Sequence, residues 1–566
     1  MTETGIASES EPRTLSERVQ ARAFERRWWI LTVLCISLLV IVLDNSILNV
    51  AIPTIVRDLG ASEGQIQWIV DAYTLVFAGL LLTMGSLGDR FGRRGALQAG
   101  FLVFGAGSIA SALAGSANQL IATRAFMGIG GALIMPATLS IITNVFPGNE
   151  RPRAISIWAG VAGLGAALGP LTGGFLVEHF YWGSVFLVNI PIVLFGLVTG
   201  FFLIPTSKDP AAPRLDPFGA ALSIGALSSL LFGIIQAPLD GWTAPLIVGA
   251  FVVGVVLLAV FVWWELTTDH PMLDVRFFKN PRFSAASGSI TLVFFAMFGS
   301  IFLLTQYLQF TLGYSPLKTG VRLLPFAVAM MISAPLSARI VERVGTKIVV
   351  ATGLGLVTAG LVLSTGLSAS SPYQDIIWRL ILMSFGMGMV MAPATDSVMG
   401  SLPLAKAGVG SAVNDTTRQV GGALGVAVLG SVLSSGFGPK IDSFFKGTPI
   451  PTAARHTARE GVGNALAVAD QLRTSRLPNA SAFAADLVRT ANHAFVDSFH
   501  SSLLVGAAAT LIGVFVAVRW LPAHPRDADV AVQAEEYAAE REAEHWDGED
   551  GERAPARDLA PAPTDG

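Results

Sequence analysis

The chain has 566 residues, of which 52% are hydrophobic and only 14% charged, and its mean hydropathy is +0.60. An ordinary soluble domain is about 25% charged, so this composition excludes a soluble globular protein and specifies a polytopic membrane protein. The single cysteine, Cys35, excludes an internal disulfide and any multi-cysteine metal site. The net charge of −3 hides an asymmetry, because the stretch from Ala523 onward holds thirteen acidic and four basic residues. The rest is net positive, and in so apolar a chain loop charge sets orientation rather than marking a nucleic-acid partner.

Residues 1–27 are polar, and the apolar run that begins at Trp28 is too long for a signal peptide and lacks a small-residue cleavage site. The first helix is therefore expected to stay. A span needs about 20 mainly apolar residues, and fourteen such stretches follow. They lie at 28–50, 66–87, 96–115, 118–142, 154–177, 185–205, 217–237, 244–264, 283–306, 322–341, 348–368, 376–399, 407–434 and 499–521. The polar connection 435–498 includes the Ala-rich "TAARHTAREGVGNALAVADQLR", expected to be helical. The tail 522–566, with "AEEYAAEREAEHWDGEDGER", reads as an acidic disordered segment.

Basic clusters follow even-numbered spans: Arg90, Arg93 and Arg94 after span 2, Arg151 and Arg153 after span 4, Arg339, Arg343 and Lys347 around the end of span 10. The positive-inside rule then puts both termini in the cytoplasm and 435–498 outside. The Ala/Gly/Arg-rich composition suggests the plasma membrane of a high-GC bacterium. "DRFGRR" (89–94) after span 2 is echoed by "ERVGTK" (342–347) after span 10. Parallel repeats related by an axis along the membrane normal would produce that echo. Residues 28–205 and 271–521 then form two six-helix halves, and 206–270 an inserted helix pair.

Several residues sit badly in hydrocarbon. In "LDNSILNVAIP", Asp44, Asn45 and Asn49 lie near the middle of span 1, where an ionised carboxylate costs roughly 2.5–3.5 kcal/mol. Its depth demands a partner or a water-filled cavity. Asp71 lies in span 2, Arg124 opens span 4, and Asp415 lies in span 13 one turn before Arg418. Plain structural readings exist for two of these: a static i,i+3 ion pair for Asp415–Arg418, and a wet interface for Asp71. In span 5, Gly165, Gly169 and Gly173 form one smooth face for close helix packing beside Pro170, which favours a kink. Gly85, Gly88 and Gly92 are expected to permit a tight turn between spans 2 and 3, where Asp89 accepts hydrogen bonds and Arg93 adds a cation.

"LDNSILNVAIP", "GSLGDRFGRR", "RAFMGIGGALIMP" and "GLGAALGPLTGG" resemble, in order and spacing, the signature motifs of the major facilitator superfamily. "WGSVFLVNIP", "LDPFGA", "LQFTLGYSPLKTGVRLLP" and "AGVGSAVNDTTRQVGGALG" resemble its 14-span drug:proton antiporters. The likeness covers about residues 28–521. It implies an all-α membrane protein of the major facilitator fold, two six-helix halves plus an inserted pair, with substrate held between the halves. It also implies that Asp44 carries the proton as Arg124 approaches and withdraws. Asp71 and Asp415 would recognise cationic substrates, with Asn45, Trp158 and Phe295 beside them. Gly85, Asp89 and Arg93 would form a cytoplasmic latch, and the Gly165–Gly169–Pro170–Gly173 face a seam limiting leak. One departure is local: Trp182-Gly183-Ser184 stands where the family often has Trp-Arg-Trp.

No G-x-x-x-x-G-K-[ST], H-E-x-x-H or G-x-S-x-G occurs, so an ATP-driven pump or membrane hydrolase has no visible chemistry. The expectation is a non-enzyme without cofactor or metal, functioning as a monomer in the bilayer, whose partners are protons and a small molecule. Proton-coupled export of hydrophobic or cationic compounds leads. Export of one dedicated metabolite, a non-transporting sensor or scaffold, and uptake by symport are the rivals.

Overall fold

In the computed structural model, residues 24–61, 63–209, 215–448, 450–474 and 480–522 are described, and among them every regular element is helical. The N-terminal segment up to residue 23 and the acidic tail from 523 fall outside them. The long helices are α1 (Arg27–Leu59), α2 (Glu63–Phe91), α3 (Arg93–Ala112), α4 (Ala117–Val145), α5 (Arg151–His179), α6 (Asn189–Leu203) and α7 (Pro217–Asp240). They continue as α8 (Pro245–Thr267), α9 (Pro281–Gln306), α10 (Pro316–Val344), α11 (Thr346–Ser364), α12 (Tyr373–Met399), α13 (Ala407–Phe445) and α14 (Ala480–Trp520).

Their starts follow from local chemistry. Asp216, Asn280 and Ser315 each precede a proline and accept from the backbone N–H of Gly219, Arg282 and Lys318. This combines a side-chain N-cap with a first-turn proline that has no N–H to satisfy. Among the described residues, thirteen stretches are long and apolar enough to cross a membrane. The remaining long helix, α5, is 29 residues, diluted by six glycines between Gly160 and Gly174 and lodged between α1 and α10.

The packing repeats with an offset of eight helices. In the first half α1 packs on α5, α2 and α3 on α4, and α3 and α1 on α6. In the second, α9 packs on α13, α10 and α11 on α12, and α11 and α9 on α14. The chain reversals match as well: Gly92 (φ +111°) between α2 and α3 answers Gly345 (φ +83°) between α10 and α11, positions where a side chain would be strained. The halves meet along α5–α10 and α2–α13, with further contact of α4 on α13 and α5 on α12. The inserted pair α7–α8 attaches through α7, which touches both α2 and α13. The end of the bundle where α1 begins and α2 ends is called proximal below, the other end distal.

Two expectations need correction. Gly85 and Gly88 do not form a turn, because α2 runs unbroken to Phe91 and only Gly92 reverses the chain. The connection 435–498 is shorter than its polarity suggested. α13 (39 residues) and α14 (41 residues) are each about 60 Å long, twice a bilayer's hydrocarbon core of about 30 Å. They extend beyond it at the distal end, where two short helices, Thr452–Glu460 and Val462–Arg473, break at Gly461 and pack beside them.

Candidate functional site

Asp44 lies seventeen residues into α1, about 26 Å from its proximal end, and is wholly buried. Its Oδ2 accepts from Arg124 Nη1 of α4 at 2.5 Å, and its Oδ1 accepts from Asn189 Nδ2, the first residue of α6, at 2.9 Å. Asn189 Nδ2 also reaches Ser108 Oγ of α3 at 3.2 Å. Arg124 Nε donates to the Ile69 carbonyl at 3.2 Å, and its guanidinium lies over the Tyr73 ring at 4.5 Å. Five helices of the first half thus contribute to this cluster, and two of its side chains, Arg124 and Asn189, bond the carboxylate directly, which answers the problem its depth posed. Asp44, Arg124 and Asn189 all have 0% exposure, so the charges offset each other without water. Arg124 Nη2 and Asn189 Oδ1 are buried without a partner, leaving hydrogen-bonding capacity in reserve.

Sequence reading found Asp44 and Arg124 but missed Asn189. Of the amides that the sequence places beside Asp44 on the same helix, Asn45 Nδ2 donates back to the Ile41 carbonyl at 3.1 Å, and the Asn49 side chain lies outside the described residues. A lone amide at the head of span 6, in "FLVNIP", was the available signal.

A second polar cluster lies nearer the proximal end, where α5, α9, α12 and α13 meet. Arg418 Nη1 stands 3.7 Å from Asp415 Oδ1, and Arg418 Nη2 donates to Thr395 Oγ1 at 3.0 Å. The guanidinium is covered by Trp158 at 5.0 Å and Phe294 at 5.4 Å. The static i,i+3 pair is therefore present, with Asp415 only 1% exposed. Trp158, expected to face substrate, is instead fully buried against Arg418. The ring beside that cation is Phe294; Phe295 is only partly buried, and its carbonyl would meet a Cβ on Gly425 at 2.1 Å. Asp71 belongs to neither cluster and is half-buried on α2, its Oδ2 buried.

At the proximal end α2 meets α13. Asp89 Oδ1 accepts from the backbone N–H of Gly408 at 2.9 Å and Oδ2 from that of Val409 at 3.0 Å. A carboxylate at the first turn of a helix satisfies orphan N–H groups and faces the positive end of the helix dipole. Arg93 Nε donates to Asp89 Oδ1 at 2.8 Å, while Arg93 Nη2 donates to the Leu404 and Ala405 carbonyls at 2.8 and 3.0 Å. Gly85 makes this approach possible, because a Cβ there would stand 2.6 Å from the Gly408 carbonyl oxygen, and one on Gly408 would stand 2.6 Å from the Gly85 carbonyl oxygen. On the same face Arg27 Nε and Nη2 clasp Glu150 at 2.7 and 3.0 Å. That bidentate hydrogen bond holds the Glu150 carboxyl below its ordinary range.

The glycine face of α5 packs inside the first half. A Cβ on Gly165 would meet Val42 at 3.0 Å and one on Gly169 would meet Ser46 Oγ at 1.9 Å, both on α1. Gly173 is buried as well, and the Pro170 side chain is outside the described residues. The neighbouring Gly160 and Gly163 face α10 of the other half, at Met331 and Met330. At the departure noted above, a Cβ on Gly183 would stand 2.5 Å from the Ala112 carbonyl oxygen, so a larger residue would push the 182–187 segment off α3.

Comparisons with known proteins come to the same architecture. The profile of the Major Facilitator Superfamily matches residues 34–219 and 217–426. The multidrug efflux pump LfrA of Mycolicibacterium smegmatis is 37% identical over 86% of this chain and 96% of its own length. The tetracenomycin C resistance and export protein of Streptomyces glaucescens is 32% identical over 88% and 93%. The methyl viologen resistance protein SmvA of Salmonella typhimurium is 34% identical over 86% and 96%. Among solved structures, the human organic anion transporter MFSD10 superposes with a TM-score of 0.56 over 89% of this chain and all of its own, at 14% identity, a likeness of fold. The chain belongs to the Major Facilitator Superfamily.

Proposed function

We propose that this protein exports hydrophobic or cationic small molecules from the cytoplasm in exchange for protons, by alternating access. The observation that carries the proposal is the wholly buried Asp44–Arg124–Asn189 cluster. A carboxylate that exchanges its cationic partner for a proton as the halves rock would couple proton flow to conformation. The proximal face, where the basic loops collect, is taken as cytoplasmic. The Asp89–α13 tie then closes the cytoplasmic side of this state, with Gly85 and Gly408 setting how close the halves come. The Gly165–Gly169–Gly173 face, with Pro170, serves as a rigid seam that holds α5 to α1 while the halves move.

Asp71 is the acid proposed to meet cationic substrates, together with Asn45. Asp415, already paired with Arg418, takes part only once that pair opens, and Phe295 lines the same region of α9. Relatives named for several drugs favour a broad exporter, and those named for one antibiotic favour a dedicated one. Ethidium loss from preloaded, efflux-deficient bacteria decides between them. Protonophore-sensitive loss that disappears in Asp44→Asn supports the broad, proton-driven reading. No loss from a folded, membrane-inserted wild type would overturn the breadth, and loss that persists in Asp44→Asn would overturn the role of Asp44.

A further inference from the structure

The linker that leaves α6 for the inserted pair is woven into the proximal contact between the halves. Its residues Ser207 and Asp209 are held to the first half by backbone hydrogen bonds, from Arg93 N to the Ser207 carbonyl at 2.9 Å and from Asp209 N to the Asp89 carbonyl at 2.7 Å. The Arg94 side chain adds a bond to the Ile204 carbonyl at 3.4 Å and lies over Phe201 at 4.6 Å. The Asp209 side chain points the other way. It is 3% exposed, and its Oδ2 stands 3.7 Å from Lys406 Nζ in the turn that leads into α13. Arg93 grips the same turn through the Leu404 and Ala405 carbonyls.

Downstream of this linker, α7 bridges the two halves along the same α2–α13 line. Trp68 of α2 stacks on Phe232 of α7 at 6.2 Å. A Cβ on Gly79 of α2 would stand 2.5 Å from Ser228 Oγ of α7. Beyond the distal end of α7, Trp242 Nε1 donates to Ser431 Oγ of α13 at 2.8 Å. The inserted pair is thus attached to both bodies that must separate, at both ends of one seam.

We propose that Asp209 is a gating residue. Its ion pair with Lys406 makes the linker of the inserted pair a working part of the proximal latch, so that this pair must break before the proximal face opens. The division of bonds gives the reason. Among the described residues, backbone hydrogen bonds fix the linker to the first half, whereas the Asp209–Lys406 contact to the second half is a side-chain ion pair, so separation breaks that ion pair and leaves the linker with α2 and α3. Of the two partners Asp209 is the more buried, at 4% side-chain exposure against 31% for Lys406.

This inference rests on the alternating opening proposed above, and its test uses neither transport nor a proton gradient, so the two fail separately. Spin labels at Asn149→Cys and Arg343→Cys, exposed proximal sites on opposite halves, report the gap in a Cys35→Ala background of the full chain in nanodiscs. Asp209→Asn and Lys406→Gln should each raise the ratio of long to short distances by roughly fivefold, the effect of losing about 1 kcal/mol. The double variant should add nothing to either single, and Asp269→Asn on the exposed linker after α8 should change nothing. Size-exclusion profiles confirm that each variant is folded. Unchanged distances in both folded single variants, or shifts that add in the double, would overturn the proposal.

Discussion

Asp44 on α1 and Asn189 at the head of α6 meet at 2.9 Å, on the opposite side of the carboxylate from Arg124. One oxygen faces a cation and the other an amide, so losing the cation would still leave Asp44 one donor. Removing Arg124 from a site of 0% exposure strands a buried charge, which costs about 3–5 kcal/mol. Arg124→Ala should therefore lower thermal stability in detergent markedly, while Arg124→Ala/Asp44→Asn should regain most of it. A double variant no more stable than Arg124→Ala would mean that the pair is not what holds this site.

The α2–α13 crossing gives a steric prediction. A methyl at Gly85 would lie 2.6 Å from the Gly408 carbonyl and 2.7 Å from the Ala412 Cβ, and neither backbone can yield cheaply. Overpacking of this kind costs about 1–3 kcal/mol, here charged only to the state in which the proximal face is closed. Gly85→Ala should shift the protein toward the proximal-open state and slow ethidium efflux about tenfold, with membrane insertion unchanged. Cysteine accessibility at the proximal seam, compared in the two proteins, checks it.

Much of this arrangement was legible in the sequence, and the reasons are physical. Hydropathy marked the spans because lipid tolerates few alternatives, and acids in apolar helices stood out because they are expensive there. Contacts between distant helices were not legible. The Asn189 amide, the Lys406–Asp209 pair and the Gly85–Gly408 approach depend on which helices become neighbours, which periodicity within one helix does not encode. Gly85 was read as a turn residue since nothing local distinguishes a glycine that bends a chain from one that admits another backbone.

Trp158 supplies a third prediction. It is buried and covers the Arg418 guanidinium at 5.0 Å, so Trp158→Ala removes a large packed ring and a cation–π partner together. The loss should be about 3–5 kcal/mol, read as a fall in melting temperature. Trp158→Phe should keep most of that stability. If Trp158→Ala instead left stability intact and altered only the range of exported compounds, the ring would be a substrate wall after all.

The Arg27–Glu150 clasp predicts a pH dependence. Its carboxyl titrates below the ordinary glutamate value because Arg27 hydrogen-bonds the charged form. A depressed acid contributes stability that is fully present above its unfolded pKa, about 4.3 for glutamate, and is lost as pH falls through the folded value. The stability difference between wild type and Glu150→Gln should therefore be constant above about pH 5 and shrink on further acidification. A difference that grew as pH fell would reverse the sign and contradict the clasp.

The central claim is that Asp44 exchanges protons as substrate moves. The most direct measurement follows internal pH in proteoliposomes of the purified wild-type protein when ethidium is added, beside Asp44→Asn at matched incorporation. The account predicts ethidium-dependent proton movement against ethidium flux in the wild type and none in the variant. Equal ethidium-driven proton movement in both would contradict it.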